Sequence, residues 1–102
     1  MAKGYWVGLV DVTDPEGYRA YVAANAGAFA RYGARFLVRG GRNQVVEGNG
    51  RSRIVVIEFP DYDAALACWN SPEYAAAAAH RAGRAVADIV VVEGYDGPQP
   101  GA

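Results

Sequence analysis

His80 and Arg81 stand side by side near the end of an alanine-rich segment, with Arg84 about one turn further on. An imidazole titrates near neutral pH and a guanidinium grips a carboxylate through two parallel hydrogen bonds, so the pair has the makings of a catalytic base beside an anion clamp. The competing reading is a helix C-terminus, where cations gain from the helix dipole without touching any ligand. Asn25 falls among the larger apolar residues Tyr18, Tyr21, Val22, Phe29 and Tyr32. A buried amide there must find partners or cost about 1–3 kcal/mol, so it either orients a carbonyl-bearing ligand or bonds to backbone or water. Tyr5, Trp6, Tyr18 and Trp69, with Tyr21 and Tyr32, offer flat surfaces that suit an aromatic ligand and suit a plain core equally. Asp11 and Glu58 each end an apolar run. They are expected to close two central parallel strands on one edge of the sheet, either as an acid–base pair or as two solvated strand ends.

Other chemistries are argued against. One Cys and one His do not make a metal cluster, and no metal or cofactor is expected. Cys68 lies between Leu66 and Trp69 with no activating cation beside it, a buried thiol of a reducing compartment, which points to the cytoplasm. Gly48-Asn49-Gly50 precedes a strand rather than a helix and is no dinucleotide fingerprint. A net charge of −1 draws the chain to neither nucleic acid nor anionic membrane, and no run approaches the roughly 20 apolar residues of a membrane span. Arg35, Arg39, Arg42, Arg51 and Arg53 gather around a hairpin against Glu47 alone, which suits a phosphate-binding patch. Arginine on an edge hairpin also blocks edge-to-edge aggregation, and the strand from Arg53 to Phe59 lacks the interleaved aromatics that stack bases, so no nucleic-acid partner is expected.

The elements that must position these residues come from a doubled unit. Val7 to Val12 leads through Asp14-Pro15-Glu16-Gly17 to Tyr18, and Ile54 to Phe59 leads through Pro60-Asp61 to Tyr62; each is an apolar strand, an acidic turn with proline, a tyrosine and an alanine-rich helix. Strands are expected at Tyr5 to Val12, Arg35 to Arg39 with a short arm from Gln44 to Glu47, Arg53 to Phe59 and Asp88 to Glu93. A first helix runs from Pro15 to a stop at Gly33, a second ends near Asn70, and Ser71-Pro72-Glu73 starts a third. Residues 1–96 then form one domain and residues 97–102, with Pro98 and Pro100, a flexible C-terminal tail.

Strand, helix, strand, strand, split helix, strand is the order of a ferredoxin-like α+β sandwich, an antiparallel sheet with its helices on one face. Its third and fourth strands are apolar on both faces, yet helices cover only one. The second face is expected to be buried against a second copy, giving a homodimer.

The residues Tyr5-Trp6, Val12 to Tyr18, Tyr32-Gly33, Phe36 to Gly41, Val46-Glu47-Gly48, Val56 to Pro60, Ser71 to Tyr74 and Val92 to Tyr95 resemble the DUF1330 family over nearly the whole chain. The resemblance implies the dimeric α+β barrel, in which two such sheets face each other. Its more distant relatives include cofactor-free monooxygenases, muconolactone isomerases and haem-dependent chlorite dismutases, so the fold does not select a reaction. The family pattern has an arginine near Arg81 but an apolar residue where His80 stands, which weighs against a catalytic His80. The function expected from the sequence is binding of a small aromatic or carboxylate-bearing molecule in a cleft between helices and sheet. A cofactor-free monooxygenase or isomerase, and a non-catalytic interaction protein, are the alternatives.

Overall fold

In the computed structural model, which describes residues 2–101, every helix starts where a side-chain oxygen meets the first free backbone N–H groups. Helix α1 (Pro15–Arg31) is capped by Asp14, whose Oδ1 accepts from the Gly17 N–H at 3.1 Å. Asp61 does the same for α2 (Tyr62–Trp69), accepting from Ala64, and the Ser71 hydroxyl for α3 (Pro72–Ala79), accepting from Tyr74. The chain leaves α1 through Gly33, whose φ of +73° disfavours a side chain.

Four strands, β1 (Gly4–Val12), β2 (Arg35–Arg39), β3 (Arg53–Phe59) and β4 (Ala85–Glu93), form one sheet in the order β2-β3-β1-β4 with every neighbouring pair antiparallel. This is the ferredoxin-like α+β arrangement expected from the element order. One detail of the expectation is wrong. The crossover through α1 makes β1 parallel to β2, and β3 returns between them, so β1 and β3 run antiparallel with Tyr5 opposite Glu58 and Val10 opposite Arg53. Asp11 and Glu58 therefore sit at opposite ends of the sheet and form no carboxylate pair.

β4 begins earlier than expected because β1 extends to Val12 and recruits Ala85 to Ala87 into its ladder, overriding the weak strand preference of alanine. The arm expected from Gln44 to Glu47 is not a strand: residues 40–52 form an exposed loop. An arm with no hydrogen-bonded neighbour gains too little to become a strand. The base of this loop is tied by Asn43, whose Nδ2 donates to the carbonyls of Gly41 and Ser52.

The period of two along each strand separates the two faces of the sheet. Trp6, Gly8 and Val10, with Val55, Ile57, Phe59, Ile89 and Val91, face the helices. The Trp6 ring lies 4.9–5.5 Å from the rings of Phe29, Phe59, Trp69 and Tyr74, and its Nε1–H donates to the Ala65 carbonyl at 2.8 Å. Helix α2 lies directly on β1, β3 and β4, whereas the close packing of α1 is against α3, which leaves a gap between α1 and the sheet.

Among the described residues no helix covers the other face. Its middle row is Val38, Val56, Val7 and Val90 in hydrogen-bonded register, with Ile54 and Leu9 beside it and Val90 58% exposed. Charged residues bound it at both ends. Arg35 lies opposite Glu58 at one end, and at the other Arg51 bridges Asp11 and Asp88 at 3.1 and 2.9 Å.

The acidic anchors give the fold a pH dependence. Asp14 accepts from Gly17 N–H and pairs with Arg84 at 2.7 Å, and both hold its carboxyl below the ordinary 3.8. The Ser52 N–H, with Arg51, acts likewise on Asp11. A carboxyl with a depressed folded value contributes stability that is complete above the unfolded value and is lost as pH falls through the lower folded one. Thermal midpoints should therefore be flat near neutrality and fall below about pH 4. Asp14→Asn, which keeps a capping oxygen without the charge, should flatten part of that acid limb; an unchanged limb would dismiss Asp14 as a contributor.

Candidate functional site

The gap beneath α1 is a half-open cleft of about 40 Å³. Its roof comes from the three-to-four spacing of α1, which points Tyr18, Tyr21, Val22, Asn25 and Phe29 downward. Its floor is the helix face of the sheet: Val10, Val55, Ile57 and Ile89 around Gly8. Gly8 leaves the centre of that floor bare. A Cβ there would meet Ile89 and Val55 at 3.8–3.9 Å, ordinary contact distances, so the glycine is not required by crowding or by its backbone.

The three residues that carry a buried side-chain N or O atom without a hydrogen-bond partner among the described residues, Asn25 (Oδ1), Arg53 (Nε) and Arg81 (Nε), all line the cleft. Native proteins leave few such atoms, and each costs about 1–3 kcal/mol if nothing fills the gap. Arg39 also lines the cleft, its guanidinium 4.0 Å above the Phe36 ring. The ion pairs among the described residues engage Arg31, Arg51 and Arg84; of the six arginines outside them, Arg39, Arg53 and Arg81 line the cleft, and no carboxylate lines it. Three permanent cations thus face one partly enclosed space with no acid to balance them.

Register places the cations on both flanks. Arg53 is opposite Val10, and Arg39 is opposite Val55, which in turn lies opposite Gly8. The Arg53 guanidinium rests on the bare Cα of Gly40, which has φ +68° and where any Cβ would overlap it. Arg81 comes from the turn before β4, with its guanidinium carbon 5.3 Å from the Tyr21 ring centroid and its Nη2 donating to the Tyr74 hydroxyl at 3.4 Å. Tyr74 and Tyr21 share a 2.8 Å hydrogen bond. Burial first, and the neighbouring Tyr74 next, push the Tyr21 hydroxyl far above the usual tyrosine range, so it stays protonated and serves as a fixed dipole.

Of the residues singled out in the sequence, Asn25, Arg81, Trp6 and Tyr18 come together on this cleft. Trp6 has already spent its N–H on Ala65 and contributes an apolar wall. Tyr5 points to the opposite face of the sheet, between Glu58 and Val92. Trp69 lies outside the cleft, on a shallow groove with Arg81, Ala87 and Ile89. His80 caps the C-terminus of α3, exposed, and does not line the cleft. Cys68 is buried, and burial pushes its thiol up to about 12, which removes it as a nucleophile.

Arg39, Arg53, Tyr74 and Gly8 were missed as site residues. The signal for Arg53 was present: it shares the parity of Val55 and Ile57, so period two puts it on the helix-covered face. The arginines grouped around the hairpin do not form one patch, since Arg51 is tied to two acids on one face while Arg39 and Arg53 enter the cleft on the other. Among the described residues no three His, Cys, Asp or Glu side chains converge as metal ligands, and no helix is long and apolar enough to cross a membrane.

Several solved structures share this fold. A protein of unknown function from Rhodopseudomonas palustris, RPA0582, is similar at TM-score 0.75 and 17% identity over 94% of this chain and 85% of its own. SnoaB, a cofactor-independent oxygenase from Streptomyces nogalater, is similar at TM-score 0.63 and 18% identity over 97% of this chain and 96% of its own. A dimeric ferredoxin-like protein of unknown function from Thermobifida fusca is similar at TM-score 0.58 and 19% identity, over 90% and 89%. At these identities the likeness is one of fold. No functionally curated protein matches the chain. Residues 3–95 match the family described as a domain of unknown function, DUF1330, and the chain belongs to that family.

Proposed function

We propose that this protein is a homodimer, joined through its open sheet face, that binds a small anionic aromatic molecule in the cleft between α1 and the sheet. The observation that carries the binding reading is that Asn25, Arg53 and Arg81, each with a buried side-chain atom left unpaired, all line one cleft. A protein gains nothing in stability by keeping three such atoms together, and functional sites are where local rules of this kind are broken. The cations demand negative charge, and the walls of Trp6, Tyr18, Phe29 and Phe36 favour a flat apolar body. The enclosed volume admits about three waters or the leading edge of one ring, so the rest of the ligand occupies the mouth. The dimer reading rests on the uncovered valine rows and is supported by the dimeric state of the Thermobifida protein.

Gly8→Val tests the cleft. The added methyl groups fill the floor in a β-compatible residue, so the chain should fold with an unchanged or raised thermal midpoint and bind benzoate at least tenfold more weakly by chemical-shift titration, a tenfold change being about 1.4 kcal/mol. Equal binding by the folded variant would place the ligand elsewhere.

A second reading is a cofactor-free oxygenase. It is favoured by the fold shared with SnoaB together with the Arg81, Tyr74 and Tyr21 hydrogen-bonded series, which sets fixed dipoles beside the place where a substrate anion would form. Oxygen uptake on adding hydroxylated aromatics, absent with Gly8→Val, would support it; no uptake with any of them leaves the binding role alone.

A further inference from the structure

The two edges of the sheet are built differently. β2, at one edge, is five residues long, carries Arg35 and Arg39, and is broken by a register shift between Phe36 and Val38, all of which discourage a further strand. β4, at the other, runs nine residues in unbroken register and contains no Lys, Arg or Pro. Its acids do little to defend it, since Asp88 is held by Arg51 and Glu93 is the last residue of the strand. One hydrogen bond gives the direction of its backbone groups. In an antiparallel pair the N–H and C=O of a residue point to the same side, and successive residues alternate. The Gly94 N–H donates to the Lys3 carbonyl at 2.7 Å, one step beyond the pairing of Gly4 with Glu93, so Val86, Asp88, Val90 and Val92 face β1. Ala87, Ile89 and Val91 therefore aim their N–H and C=O groups away from the sheet, and no turn, loop or cap backbone bond among the described residues engages them.

The shallow groove lies beside this edge. Four successive residues of β4, Ala87 to Val90, line it, so it follows the margin of the strand and not one face of it; the other wall is Trp69, 39% exposed, with Arg81. We propose that the free edge of β4 takes an extended peptide segment as a fifth, antiparallel strand, with acidic side chains on the helix side and aliphatic ones on the open face. The unpaired backbone donors and acceptors select extended backbone, because only another strand matches their spacing. Residues of the added strand that bond to Ala87, Ile89 and Val91 share their face and enter the groove beside Arg81, a guanidinium outside every ion pair among the described residues, which selects a carboxylate. The alternate residues continue the row Val38, Val56, Val7, Val90 and suit valine or isoleucine. The new hydrogen bonds lie in the plane of the sheet while the valine row projects out of it, so a dimer joined through the open face does not consume them. Nothing here depends on the cleft being a binding site.

The test uses the full chain and a heptapeptide blocked at both ends, Thr-Val-Glu-Val-Glu-Val-Thr, with a counterpart carrying lysine for glutamate and two N-methylated forms. In the free chain the amides of Ala87, Ile89 and Val91 should exchange with solvent at least about a hundredfold faster than those of Asp88, Val90 and Val92. The glutamate peptide should slow exchange at those three amides, and the lysine peptide should bind at least about tenfold more weakly, a preference that Arg81→Gln reduces to within about twofold. N-methylation of the glutamates, whose N–H groups aim at β4, should abolish binding; N-methylation of the valines, whose N–H groups point away, should leave it within about threefold. Ala87→Pro removes an outward N–H that the ladder to β1 does not use, so the chain should keep its thermal midpoint and bind the peptide at least about tenfold more weakly. Slow exchange at the three amides in the free chain overturns the proposal, because the edge is then already covered. Equal loss from both N-methylated forms, or no binding of the glutamate peptide, overturns it too. The exchange pattern and the peptide comparison in the unaltered chain decide the matter even where a variant does not fold.

Discussion

Trp6→Ala is expected to remove about 3–5 kcal/mol of stability, enough to leave a domain of this size largely unfolded if its reserve is at the low end of the usual range. Trp6 is 2% exposed on the central strand β1, with strands hydrogen-bonded on both sides. Neither neighbour can move in to fill the space without breaking a ladder. Four aromatic rings lose their common contact, and the Ala65 carbonyl loses its donor on a helix that is otherwise fully buried at that point. Urea titration followed by far-ultraviolet circular dichroism measures this directly. A loss under about 1 kcal/mol would mean that the ring cluster collapses around the vacancy and is far more fluid than its edge-to-face geometry implies.

Val7→Asp is expected to act on assembly instead. Val7 sits one residue along β1 from Trp6, on the other face, at the middle of the row that runs Val38, Val56, Val7, Val90. In a single protomer it is half-buried and can carry a solvated carboxylate, so the fold should survive. In a two-fold dimer the change introduces a charge from each copy into an apolar interface with no cation in the row, and each unpaired charge costs several kcal/mol. The dissociation constant should rise by at least about a hundredfold, which is roughly 2.7 kcal/mol. Sedimentation should show a dimer for the unaltered chain and a monomer for the variant at the same micromolar concentration. A dimer that persists in Val7→Asp would move the interface off this face.

What the sequence revealed and what it hid follow from the range of the forces involved. Caps and stops are local, and Asp14-Pro15, Asp61, Ser71-Pro72 and Gly33 were all legible because each acts within one turn of chain. The two-faced apolar strands were legible because period two is written in order along Arg53 to Phe59. Strand direction was not local. The crossover fixes β1 parallel to β2, and only the hairpin return sets β3 antiparallel between them, which is how Asp11 and Glu58 came to be placed at one edge. Arg53 was hidden for a different reason. Its inward parity was visible, but charge on a hairpin is ordinarily solvated, and nothing local tells that α1 stands off the sheet far enough to admit a guanidinium. Asn25 was visible as a misfit among apolar neighbours and Arg81 as an anion clamp beside His80, whereas Tyr74, which bonds both Arg81 and Tyr21, lies on a separate helix and joins them only in three dimensions.

The seating of Arg53 on Gly40 has a consequence for which changes the loop can absorb. Gly40 is held twice, by a backbone angle that penalises side chains and by a guanidinium occupying the space a Cβ would need. Gly41, its neighbour, has nothing within reach of a Cβ and no unusual angle. In a library of random variants the two adjacent glycines should therefore diverge sharply, with position 41 tolerant and position 40 closed. The closed position would register as lost ligand affinity before it registered as lost stability, because the group displaced belongs to the cleft and not to the core. A surface turn would then behave, to a geneticist, like part of the proposed site it never touches.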